Sequence, residues 1–402
     1  MSAFTAAPHR MLFTAGMTAV AASGAWWAVE LVGRSWPLPL PVPKVAPIWA
    51  HAWLMLYALF GPFIFGFLFT TFPRWMNGPL VPRGAYLATF VLFMASLALA
   101  LTGIWTGMAV FTLGVLAGCL AWLVALIALL RVLIDSQEVV SHAVVAAVAL
   151  GLGTISQFLY AYALLTPDPT LLHTAPRLAL WCGLLPVAFA VSHRMLPFFT
   201  ASAVRGYEPH RPLWWLVAGV VLLIGHQALA IAGRFGWLWL PDAALALLTG
   251  FMWLRWRPLV SRGISLLWTL HAAFLWLPLG LALQAVASAS FALTGDWLVG
   301  RAPLHALGMG FLGSLVLAMV TRVTLGHSGR PLAMDRVTVA LFLALQVAVL
   351  ARVGSELALA ATPALFTVLL LVSVGAWLAA WLPWVARYAP MLVTARVDGH
   401  PG

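Results

Sequence analysis

The apolar residues run in long unbroken blocks, separated by short stretches rich in Pro, Gly and Arg. Twelve blocks approach the ~20 residues that a helix needs to cross a hydrocarbon layer. They cover roughly 11–33, 50–72, 85–104, 106–130, 142–164, 178–198, 213–232, 237–254, 264–289, 303–325, 335–353 and 363–384. The runs do not alternate, as the strands of a membrane barrel would, so helices are expected. The reading is an all-α polytopic membrane protein, a single transmembrane domain over residues 1–402, without a clear internal repeat. The first block is too long for a signal-peptide core and is taken as a retained span.

Composition supports the pattern. Of 402 residues, 63% are hydrophobic and only 8% charged, against about 25% charged in soluble proteins. The 21 Trp suit interfacial belts as well as packing. The net charge of +11 does not point to nucleic acid, because the arginines are spread over short loops. Cys119 and Cys182 each lie alone in an apolar run, so neither a disulfide frame nor a zinc site is indicated. With twelve spans, fifteen of the 21 basic residues fall on the side of the N-terminus and six on the other. The positive-inside rule then predicts both termini in the cytoplasm.

On that topology His51, His226 and His305 lie toward the outer face, and His142, His193, His271 and His327 toward the inner one. His9, His173, His210 and His400 are expected in loops or tails. A histidine inside a span needs a partner and is often functional. The plain alternative is a hydrogen bond to a neighbouring carbonyl, the favoured reading for His142 and His226. His193 and His271 lie at matched depth on separate spans, as ligands bracketing a haem plane would. All ten acids fall in loops or near span ends, which weighs against a proton-coupled carrier. GMGFLG (308–313) spells a dinucleotide fingerprint but follows no strand. Small residues that let helices approach closely are the better account.

The most distinctive stretch is LHALGMGFLGSLVLAMVTRVTLGHSGRPL, 304–332, with a histidine near each end. It is joined by FGFLFTTFPRW (65–75), RMLPFFT (194–200), SLLWTLHAAFLWLPLGLAL (265–283) and YAPMLVTARVDGHPG (388–402). In these stretches the chain resembles the NnrS family of bacterial membrane proteins. The resemblance implies twelve spans in the inner membrane, a link to nitric oxide metabolism or nitrosative-stress tolerance, haem b, and copper in some members. Its candidate metal ligands here are His51, His271, His305 and His327. The family's H-A-H-E box reads HAWL at 51–54, with Trp53 and Leu54 in place of a histidine and an acid, which puts copper in doubt.

Two cofactor sites are expected from these readings together. One lies near His193 and His271, with His327 as alternative ligand. The other lies near His51 and His305, with His226 in reserve. Arg74, Arg194 and Arg322 are candidate partners for haem propionates, since arginine binds carboxylates bidentately; the plain reading of each is an anchor to anionic lipid. Nitric oxide is the expected ligand of an open iron position. The alternatives are an electron-transfer or accessory subunit working with quinol or a respiratory partner complex, and a cofactor-free transporter or assembly factor.

Overall fold

A computed structural model describes residues 3–36, 39, 41–166, 168–359 and 362–399. Among them are twelve helices long and apolar enough to cross a membrane. They are α1 (Pro8–Ser35), α2 (Pro47–Met76), α3 (Arg83–Thr106), α4 (Met108–Ile134), α5 (Ser141–Leu165), α6 (Pro169–Ala203), α7 (Leu213–Ile231), α8 (Phe235–Arg255), α9 (Ser265–Thr294), α10 (Ala302–His327), α11 (Arg336–Leu359) and α12 (Pro363–Val393). The described residues contain no strand. The chain is a multi-pass, all-α membrane protein.

Every expected span has its helix, and the differences lie at the ends. Hydropathy marks only the part of a helix that lipid demands, while caps set its true ends. Thus α6 begins nine residues early, where Asp168 accepts from the amides of Thr170 and Leu171 and Pro169 takes the first helical position. That places His173, expected in a loop, on the exposed first turns of α6. In the same way α1 starts at Pro8, so His9 is helical and 1% exposed rather than part of a loose tail. At the end of α2, Asn77 turns left-handed and the Gly78 amide bonds back to the Pro73 carbonyl. Gly107, at φ +140°, makes the tight link between α3 and α4 that only glycine adopts without strain.

The chain divides into two compact units. The first comprises Met1–Val187, Gly326–Arg330 and Val385–Gly402. In it α1 and α2 interlock reciprocally: a Cβ on Gly16 would meet the Phe63 ring at 2.8 Å, and one on Gly66 would meet Phe13 at 2.9 Å. The second unit comprises Ala188–Leu325 and Pro331–Trp384. There α9 and α10 interlock alike, Gly280 against Leu307 and Gly310 against the Trp276 ring. Gly310 belongs to GMGFLG, so that stretch serves close helix packing as expected.

Three spans carry a π-helical segment, Leu54–Leu59 in α2, Ala179–Leu184 in α6 and Ala306–Gly313 in α10. They are every fourth span. They are also the most enclosed, with 83, 78 and 72% of their apolar windows buried, against 28% for α12. The sequence shows no clear repeat, yet this local geometry recurs with a four-span period. Elsewhere the outward positions stay apolar (Val148, Leu247 and Leu343 are exposed), as lipid-facing helices require.

Candidate functional site

Within the second unit, three neighbouring helices enclose a polar triad. His226 on α7 bonds through Nδ1 to Asp242 on α8, and the Ser288 hydroxyl on α9 donates to the other carboxylate oxygen at 2.9 Å. Asp242 is 0% exposed. The expectation of a carbonyl partner for His226 is therefore corrected to a carboxylate. Asp242 lies near a span end, as expected of the acids, but it is sealed from its surroundings. A buried carboxylate needs such donors, because an unpaired one is too costly to keep.

His271 on α9 is 2% exposed. Its Nε2 lies 3.3 Å from the Thr200 hydroxyl, which already donates to the Leu196 carbonyl. The hydroxyl can then only accept, so His271 carries its proton on Nε2. Nδ1 is left with a lone pair, buried and without a hydrogen-bond partner. His305 shows the opposite tautomer: its Nδ1 lies 3.0 Å from the Arg301 carbonyl, so Nδ1–H donates and Nε2 is the basic nitrogen. Both are forms in which a neutral imidazole binds a metal. His271 and His305 lie in the N-terminal parts of the antiparallel α9 and α10; with Gly280 packed on Leu307, about ten residues of helix, ~15 Å, separate them along the axis.

The remaining candidates of this unit are held locally. His193 is fully buried, with Nε2 at 3.3 Å from the Pro212 carbonyl and the Trp215 and Trp256 rings around it. Arg322 lies over the Phe199 ring at 4.0 Å, a cation–π contact rather than a bare lipid anchor. Arg194 is partly buried beside His193 in α6.

In the first unit, His51 stacks on Trp27 at 3.9 Å, and the Arg34 guanidinium covers the same indole. Trp53 and Leu54, the departures from the H-A-H-E box, are both buried; the Trp53 indole nitrogen has no hydrogen-bond partner. His142 is buried in the first turns of α5. His327, at the end of α10, does not stand alone: its ring lies 4.4 Å from that of His9. Arg10, Arg74 and Arg396 are close enough for their charges to act on His327. Arg10 is 2% exposed and ties α1 to the end of α12 through the carbonyls of Leu392 and Thr394. His9 and Arg10 escape hydropathy because they precede the apolar block; Pro8, favoured at a helix's first position, is the sequence signal that could have included them. His400 lies outside the described residues.

Haem fits these groups unevenly. Two imidazoles that shared one haem would need room for the porphyrin between them. His9 and His327 already touch, leaving no room for a macrocycle between them. His271, with its orphan lone pair, and His305, with its carbonyl-fixed tautomer, are the imidazoles whose chemistry would suit holding a haem iron. Among the described residues no three His, Cys, Asp or Glu side chains converge as a metal-holding group.

Comparison with known proteins agrees with the signature stretch. The family described as NnrS protein matches residues 3–396, nearly the whole chain. No curated protein sequence matches.

Proposed function

The chain belongs to the NnrS family, and from that premise we propose a haem b protein of the bacterial cytoplasmic membrane that handles nitric oxide or its products. The observation that carries the reading is His271, whose buried Nδ1 lone pair meets no donor while its other nitrogen is fixed by Thr200. A neutral imidazole with one nitrogen anchored and the other bare is the usual state of a metal-ligating histidine. When bound, the haem would supply an iron centre able to take a diatomic ligand or pass an electron. The residues of the chain would hold and orient it: His271 in one site, His305 in the other. His51, stacked on Trp27, is the further candidate for the second site. Copper has less support, because Trp53 and Leu54 fill the box where further ligands would stand.

The test is the pyridine haemochrome spectrum of detergent-purified protein beside two variants. The wild type is expected to carry haem b. His271→Ala is expected to lose the haem of its site, and Thr200→Val to retain haem with a shifted Soret band. Full haem content in His271→Ala would remove the assignment. Nitric oxide added to the reduced protein should move the Soret band if one axial position is open. An unchanged band would favour electron transfer, for example from quinol to a partner complex.

The same reading places both termini in the cytoplasm. Single cysteines introduced in the loop 205–212 should then resist a membrane-impermeant thiol reagent in intact cells and react once the membrane is opened. Labelling in intact cells would invert the topology.

A further inference from the structure

The first unit gathers more positive charge at one end than its own acids answer. The segments meeting there are the start of α1, the end of α2, Gly326–Arg330 at the end of α10, and the tail beyond α12. They bring the guanidiniums of Arg10, Arg74, Arg330 and Arg396. Asp398 accepts from Arg396 through both carboxylate oxygens, and its carboxylate crowds the left-handed Gly329, where a Cβ would meet it at 2.6 Å. Val397 bonds to the Ser328 carbonyl, so the tail lies directly on the segment after His327.

Several donors in this group are buried and idle. The Nε of Arg10 is sealed from solvent and donates to nothing, and the Nδ1 of His9, a donor in its Nδ1–H tautomer, is likewise sealed and without a hydrogen-bond partner; the side chains are only 2% and 1% exposed. The Nη1 of Arg330 is buried and unpartnered as well. A guanidinium offers five donors in a rigid fork, and leaving one bare in a dry setting costs the desolvation of that group. The start of α1 adds backbone amides that no side chain caps. Arg74 is exposed, which keeps the group open to the surface. The two imidazoles cannot act as a cation site amid these guanidiniums, whose charges would repel the ion.

We infer that this end of the first unit is a binding site for a phosphate-class oxyanion, with His9, Arg10 and Arg74 as its donors and His327 packed behind His9. A multiply charged, many-acceptor anion is the chemistry that satisfies idle guanidinium and imidazole donors together. Two sources supply it: the headgroup of an anionic phospholipid, or free phosphate from solution.

The experiment uses the full chain, delipidated in detergent. Binding is followed by thermal stabilisation with inorganic phosphate and, separately, by native mass spectrometry with phosphatidylglycerol, phosphatidylcholine serving as the comparison lipid. Arg74→Gln and His9→Gln are measured beside the wild type. Arg74 is exposed and makes no tertiary hydrogen bond that its loss would break, so this variant keeps the test valid if His9→Gln fails to fold. Losing one charge-assisted donor should weaken binding about tenfold. Stabilisation by phosphate that Arg74→Gln weakens would support the site with a free anion as ligand. Retention of phosphatidylglycerol over phosphatidylcholine, reduced in Arg74→Gln, would support it with a lipid headgroup. Equal behaviour of wild type and Arg74→Gln toward both probes would overturn the inference.

Discussion

Replacing His226 with leucine is expected to destabilise the folded protein by about 3–5 kcal/mol, the usual cost of removing one partner from a buried charged pair. The carboxylate of Asp242 would be left with the Ser288 hydroxyl as its side-chain donor, inside a contact of three helices. Asp242→Leu should cost less, about 1–3 kcal/mol, because it strands a neutral imidazole rather than a carboxylate. Asp242→Asn should cost least, since its carbonyl still accepts from the imidazole. The informative measurement is the double variant His226→Leu/Asp242→Leu. If the triad acts through pairing, the double variant should be more stable than His226→Leu alone, because apolar side chains of like volume can fill the space. Thermal unfolding of the wild type and the four variants in one detergent reads the order directly. Additive losses would mean that the helices are held there by shape and not by the pair.

Gly103→Val should also be damaging, for a different reason. α3 and α4 form the most extensive helix pair of the structure. At their crossing a Cβ on Gly103 would lie 2.2 Å from the Phe111 amide nitrogen, and one on Gly114 would lie 2.5 Å from that of Ala100. These obstacles are backbone, which no rotamer change can move. The hairpin must open, losing the van der Waals contact that holds helices together in lipid. Overpacking of this kind costs about 1–3 kcal/mol or more. Gly151→Ala on α5 is the control, because nothing lies within 4 Å of its Cβ position. There the better helix propensity of alanine should make the change neutral or mildly stabilising. Equal losses for the two variants would show that glycine matters here through chain flexibility rather than contact.

The spans were legible because the physics that writes them is one-dimensional. Each must present about 20 apolar residues to lipid whatever its neighbours do, so all twelve could be located along the chain. Features that depend on another helix were not. Asp242 looks like an acid at the edge of an apolar run, and only the approach of α7 and α9 reveals that it is sealed and paired. His9 lies outside the apolar block, and its contact with His327 joins residues more than three hundred positions apart. The tautomers of His271 and His305 follow from Thr200 and the Arg301 carbonyl, neither of which composition singles out. The π segments were equally hidden, since LMLYAL, ALWCGL and ALGMGFLG are ordinary apolar strings.

Those π segments also alter what spacing means in this chain. Such a turn holds one residue more than an α turn, equivalent to an insertion absorbed within a continuous helix. Each residue of a helix turns by about 100°. A relative lacking the extra residue in Ala306–Gly313 would therefore present its equivalent of His305 on a different side of the helix, although the motif around it read the same. The gap that aligns two such sequences is then a rotation in space. Counting residues from His305 to the Gly-His-Ser-Gly-Arg-Pro-Leu stretch becomes a way to tell which members of the family aim that histidine alike.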